Sequence, residues 1–184
     1  VTLLILYIVY ENHTRNKELL KYAQTDALTG LYNKETTEQL TDELLSEDEN
    51  KYHAFLILDV DCFKQINDIY GHAVGDIVLQ KFGKLLKGTF REGDILGRIG
   101  GDEFGVIMKN IQTKDIAMKK AEELLAKTQA YKIDELKGNN ISISIGISTA
   151  PQDGDCYMDL YKRADQALYQ AKRSGKARVC NYFS

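Results

Sequence analysis

Apolar and polar positions along the chain repeat with a period that changes from block to block, and each change marks an element. Val1 to Tyr10 is almost wholly apolar. Leu6, Val9, His13, Asn16, Leu20 and Ala23 then recur at alternating spacings of three and four, the seam of a helix running to about Gln24. Turn formers from Thr25 to Asn33 break that helix, so residues 1–24 stand apart from a domain over 25–184. A helix is expected from Lys34 to Leu45. After the acidic loop Ser46 to Lys51, the apolar run Phe55-Leu56-Ile57-Leu58 makes His53 to Asp59 a buried strand. Asp59 to His72 turns into a short helix that Gly71 stops, and Val74-Gly75-Asp76 opens a longer one reaching about Lys87.

Gly88 to Gly93 leads into a hairpin, Ile95 to Ile99 and Phe104 to Met108. Its tip carries Gly100 and Gly101, expected to take conformations closed to other residues, and two adjacent carboxylates, Asp102 and Glu103. Thr113 is expected to cap a helix from Lys114 to about Gln129. Ile141 to Ser148 alternates strictly, which predicts a strand with one face buried. Pro151 to Gly154 is a turn, Tyr157 to Arg173 a helix stopped near Gly175, and Ala177 to Tyr182 a final strand. This order argues for an α/β fold of the α+β kind, its central sheet largely antiparallel and flanked by helices.

At 184 residues the chain is one domain plus an extension. With 24 basic and 27 acidic residues its formal charge is −3, so no global positive field draws nucleic acid, and an anionic ligand must be gripped locally. Cys62, Cys156 and Cys180 fit no zinc or redox spacing, which favours free thiols in a reducing cytoplasm. The chain begins at Val1 rather than Met, and upstream sequence is expected. Val1 to Tyr10 is about half of the ~20 residues a membrane helix needs. It reads as the cytoplasmic end of a transmembrane helix or as the last element of an upstream soluble domain. The seam after it reads as a signalling coiled coil or as a lone connecting helix.

Asp59 and Asp61 lie where a strand ends and a helix begins, the kind of place where oxygen ligands hold Mg²⁺ and helix amides meet phosphate. Each candidate has a simpler reading alone: Asp59 as a helix cap, Asp76 as a helix-start acid, the hairpin tip as a solvated turn, and Lys172, Arg173 and Lys176 as a dipole-favoured helix end. Two acidic clusters in one chain shift the balance toward chemistry.

Four motifs in order carry a resemblance: Asp26-Ala27-Leu28-Thr29-Gly30-Leu31, the stretch Asp59 to Asp76, Gly100-Gly101-Asp102-Glu103-Phe104, and Ala164-Asp165-Gln166-Ala167-Leu168-Tyr169-Gln170-Ala171-Lys172. Over about residues 25–184 the chain resembles the GGDEF-domain diguanylate cyclases. The resemblance implies a palm-like fold, related to nucleotide cyclases and polymerases, that condenses two GTP into cyclic di-GMP and pyrophosphate. It implies Mg²⁺, with Mn²⁺ as an alternative, two ions per active site, held by Asp59, the Val60 carbonyl, Asp102 and Glu103. Asp102 is also the base for the 3′-hydroxyl that attacks the α-phosphate, and Lys64 stabilises charge on the phosphates. The amides of Phe63 and Lys64 cradle them, Gly100 and Gly101 let the hairpin approach the nucleotide, and Lys172 and Lys176 clamp the γ- and β-phosphates. Asn67 and Asp76 read guanine, His72 is a further substrate contact, and Arg91 and Asp94 form an inhibitory product site. Asp61 has no role beyond holding the loop.

Each domain would hold one GTP, so the resemblance implies a homodimer, an upstream sensor and a cytoplasmic domain of an inner-membrane-anchored protein. Lys34 and Lys176 stand where the family often has Arg, and Cys62 is unusual in the substrate loop. A catalytically silent GGDEF module that binds GTP or cyclic di-GMP is the competing reading. The presence of Asp59, Asp102 and Glu103 favours the enzyme.

Overall fold

The computed structural model describes residues 10, 11, 15, 22–48 and 51–182. Of the expected N-terminal seam only Ala23 lies among them, in a helical stretch over 22–24, and nearly all of Val1 to Tyr10 lies outside the described residues. The elements are α1 (Lys34–Glu47), β1 (His53–Val60), α2 (Phe63–Tyr70), α3 (His72–Thr89), β2 (Ile95–Arg98), β3 (Glu103–Met108), α4 (Lys114–Ala130), β4 (Lys132–Ile133), β5 (Asn139–Asn140), β6 (Ile143–Ala150), α5 (Tyr157–Arg173) and β7 (Val179–Asn181). Five strands form one sheet in the order β2-β3-β1-β6-β7. All its pairs are antiparallel except β6 with β7.

The central strand β1 explains the layers. Ala54, Leu56, Leu58 and Val60 point into one core with Val78, Leu79 and Phe82 of α3 and Ala117, Ala121 and Leu124 of α4. Phe55 and Ile57 point the other way, into a second core with Leu45 of α1 and Tyr157, Leu160, Ala164 and Leu168 of α5. A strand covered on both faces needs the unbroken apolar run its sequence shows.

Strand β6 departs from the expectation of one wet face, because all of its positions are buried. Its small residues face α5 instead of water. The Ser148 hydroxyl donates to the Leu160 carbonyl at 2.8 Å. At Gly146 a Cβ would lie 2.1 Å from the Ala164 carbonyl oxygen, so only glycine lets α5 come this close. Helix α3 starts at His72 rather than Val74, since Gly71 ends one helix and begins the next: its N–H donates to the Asn67 carbonyl, and its carbonyl accepts from Val74 and Gly75. Thr113 flanks α4 without a side-chain cap, its carbonyl accepting the Ile116 N–H. The pair β4–β5 is too short for a periodic signal, and the final strand is confined to Val179–Asn181.

The turn ahead of the domain is bonded to the hairpin. The Asp26 carboxylate accepts the Thr29 amide at 2.9 Å and hydroxyl at 2.7 Å, and the Arg98 guanidinium lies 3.2 Å away. Arg98 also donates to the Gly101 carbonyl at 2.7 Å. Tyr32 bridges the outer edge of β2, its N–H donating to Leu96 and its carbonyl accepting from Arg98. Asn33 caps α1 through the Thr36 amide and donates its side-chain amide to the Ala23 carbonyl at 2.7 Å. Burial alone would raise the Asp26 carboxyl, but the Thr29 donors and Arg98 outweigh it and hold the group below the usual carboxylate range.

Asp26→Asn keeps the shape and removes the charge. Urea unfolding at neutral pH should show a loss of about 1–2 kcal/mol. Because the folded-state carboxyl is depressed, the wild-type advantage is present above the ordinary carboxylate range and fades as pH falls through the folded value.

Candidate active site

The antiparallel register sets Asp59 of β1 directly opposite Glu103 of β3, and the Val60 N–H donates to the Asp102 carbonyl at 3.2 Å. Lys172, in the last turn of α5, places its ammonium 2.7 Å from Asp59 Oδ2. Burial pushes the Asp59 carboxyl up against the pull of Lys172, with the charges of Asp102 and Asp61 adding to it. Burial also raises Glu103, helped by Asp59. Hard oxygen donors crowded into a half-buried corner call for a divalent cation, so Asp59, Glu103, Asp102 and the Val60 carbonyl fit one by their chemistry. They are not drawn into a closed shell here. Among the described residues, the His, Cys, Asp or Glu set whose ligand atoms all lie within 4.8 Å of one another is Asp155, Cys156 and Asp159, at the start of α5.

The tip differs from expectation in its backbone, since neither Gly100 nor Gly101 adopts a left-handed conformation. The turn is shaped by the Glu103 carbonyl, which accepts the amides of Ile99 and Gly100, and by Arg98 on the Gly101 carbonyl. A Cβ at Gly100 would meet Glu103 Oε2 at 2.8 Å, whereas one at Gly101 would meet nothing within 4 Å. Glycine here clears space for a carboxylate at Gly100 and leaves open space at Gly101.

Helices α2 and α3 follow directly from this corner and pack against each other at Gly75. Cys62 precedes α2 in a left-handed conformation, and its carbonyl takes the amides of Gln65 and Ile66. The amides of Phe63 and Lys64 are thus left without partners in the helix. Asn67 lies over Gly75, where a Cβ would sit 1.9 Å from Asn67 Oδ1 and 3.2 Å from the Phe63 ring. That Oδ1 is buried with no hydrogen-bond partner. His72 and Asp76 are exposed and one turn apart on α3. Exposed Lys64 lies in the first turn of α2, and Lys176 Nζ stands 3.1 Å from Cys62 Sγ. The expected metal-side acids and both clamp lysines therefore gather around the ends of β1 and α5.

Arg91 and Asp94 lie at the opposite end of the hairpin from the tip. Arg91 Nε is 3.0 Å from Asp94 Oδ1, a second guanidinium nitrogen donates to the Lys109 carbonyl, and Asp94 accepts the Lys109 amide at 3.1 Å. The pair lines a cleft of ≈ 450 Å³ with Thr89, Met108, Asn110 and Lys120.

Residues 23–178 match the family described as diguanylate cyclase, GGDEF domain. The chain belongs to the GGDEF-domain family. This GGDEF domain is 37% identical over 170 residues to diguanylate cyclase A of Treponema denticola, covering 89% of this chain and 46% of that protein. It is 37% identical over 177 residues to the response regulator PleD of Caulobacter vibrioides, covering 92% of this chain and 39% of that one. The chain spans about half, or less, of the length of such curated relatives. In fold it is similar to the coiled coil and GGDEF domain of DgcB from Caulobacter crescentus, solved in complex with cyclic di-GMP. That likeness has a TM-score of 0.86 at 24% identity and covers 96% of this chain and 94% of that one.

The sequence reading of the GGDEF domain missed Arg98, which ties the tip to Asp26 across 72 residues. A motif reading could have singled it out two positions before the paired glycines. The close packing of α2 on α3 yields a test. Gly75→Ala should push the Asn67 side chain off Gly75, a shift that its side-chain NH₂ resonances report by NMR, with the unfolding midpoint nearly unchanged.

Proposed function

We propose that this GGDEF domain is a diguanylate cyclase that condenses two GTP into cyclic di-GMP with release of pyrophosphate. The observation that carries the reading is the corner where Asp59 faces Glu103 in register, with Asp102 beside them and Lys172 2.7 Å from Asp59. Two Mg²⁺ ions, or Mn²⁺, held by Asp59, the Val60 carbonyl, Asp102 and Glu103, would supply Lewis-acid stabilisation of the attacking and leaving oxygens.

The protein's own groups position the nucleotide. The unpartnered amides of Phe63 and Lys64 and the side chain of Lys64 meet the phosphates at the start of α2, where the helix end favours an anion. Lys172 and Lys176 bring two cations to the same place and grip the γ- and β-phosphates. Asp76 accepts from the N1–H and amino group of guanine, the Asn67 side-chain NH₂ donates to O6 or N7, and His72 adds a contact. Gly100 and Gly101 let the hairpin backbone lie against the substrate. Asp102 takes the proton from the 3′-hydroxyl as it attacks the α-phosphate of the second GTP.

One domain binds one GTP, so ring closure takes a homodimer. An upstream sensor and an inner-membrane anchor bring two copies together on the cytoplasmic side, raising the effective concentration of the second half-site. Among the described residues no helix is long and apolar enough to cross a membrane. Arg91 and Asp94, beside their ≈ 450 Å³ cleft, bind cyclic di-GMP as the inhibitory product site.

Incubation of the chain with GTP and Mg²⁺, followed by nucleotide analysis, should yield cyclic di-GMP and pyrophosphate. Asp102→Ala should lower the rate at least ~100-fold. No cyclic di-GMP from a chain shown to be dimeric by light scattering would overturn the assignment. Arg91→Ala should raise the cyclic di-GMP concentration that halves the rate at least ~tenfold, and an unchanged value would remove the inhibitory site.

A further inference from the structure

Asp61 is buried, two residues beyond Asp59, and takes no part in the chemistry above. Its carboxylate is nonetheless closely held. Oδ2 accepts the Ser142 hydroxyl at 2.6 Å and the Ala177 amide at 3.1 Å, and Oδ1 accepts the Ser144 hydroxyl at 2.8 Å. Its own N–H donates to the Ser142 carbonyl at 2.8 Å. Three segments meet on this side chain: the loop after β1, the start of β6, and the turn that follows α5.

That turn is strained. Lys176 has φ of 61° and Ala177 φ of 51°, two consecutive non-glycine residues in the left-handed region. Such conformations persist only where surrounding bonds over-determine them. Here three bonds do so: the Lys176 amide donates to the Ala171 carbonyl at 3.1 Å, the Ala177 amide donates to Asp61, and the Arg178 Nε donates to the Lys176 carbonyl at 3.1 Å. The turn carries the Lys176 ammonium to Cys62, at the start of α2.

Resting on the cyclase reading, we propose that Asp61 is a positioning residue for the triphosphate: by holding the Ala177 amide it fixes the left-handed turn that aims Lys176 at the phosphate site. The same carboxylate thereby locks this clamp to the loop bearing Asp59 and Val60. Asparagine can reproduce the arrangement, because its carbonyl oxygen can take the Ser142 and Ala177 donors while its NH₂ donates to the Ser144 hydroxyl. Alanine cannot.

The test compares binding of 3′-deoxy-GTP, which lacks the attacking hydroxyl, with binding of 3′-deoxy-GMP, by calorimetry on the full chain in excess Mg²⁺. Wild type should prefer the triphosphate. Asp61→Ala should reduce that preference at least ~tenfold while monophosphate binding holds, and Asp61→Asn should retain it. Ser144→Ala, which leaves the Ala177 bond in place and only frees the carboxylate to turn, should cost about threefold and keeps the test open if the alanine variant does not fold. An unchanged preference in both Asp61→Ala and Ser144→Ala would overturn the inference, as would a parallel loss of both nucleotides. A wild type that binds the two equally would instead overturn the phosphate clamp itself, and the inference with it.

Discussion

A buried negative charge at the end of the central strand governs how this domain is put together. Asp59 closes a strand covered on both faces, and a carboxylate in that position must find a counter-charge or lose its proton-free form. Lys172 supplies the charge at 2.7 Å, which pins the C-terminal end of α5 to the end of β1. The close approach of α5 at Gly146 and the Ser148 bond to Leu160 run the same helix down β6 toward that point. Glu103 arrives from the other neighbour by register alone. Fold and site share one joint.

A chain with formal charge −3 can still concentrate cations at one place, because only the local arrangement counts. Lys64 of α2, Lys172 of α5 and Lys176 of the turn after it gather where α2 begins and α5 ends. Asp59 and Glu103 lie opposite each other on the paired strands beside them. Opposite charges thus meet at one corner of the domain, Lys172 and Asp59 at 2.7 Å.

Much of this was legible in the residue pattern, and what was not has physical reasons. The apolar run of β1 and the helical stripe of α5 declared themselves, since burial on that scale leaves a period. The alternation in β6 misled, because its serines and glycine pack against a helix backbone, which demands small residues just as a wet face tolerates polar ones. Gly100 and Gly101 suggested unusual backbone angles, whereas the structure uses their missing side chains. The ion pair that joins Arg91 to Asp94 left no mark in the residue pattern beyond two opposite charges three apart. The bonds of Asp61 could not be read, because its partners Ser142, Ser144 and Ala177 lie 81, 83 and 116 residues away.

The bridge of Tyr32 along β2 has a bearing on assembly. An outer strand normally offers a row of open amides and carbonyls to which a foreign strand can add. Here Leu96 and Arg98 already spend theirs on Tyr32, and the Arg98 side chain folds over to Asp26. Sheet extension from one copy into another is thereby blocked beside the hairpin. On this side of the sheet the acidic tip therefore stays at the rim of the domain instead of being sealed inside a continued sheet.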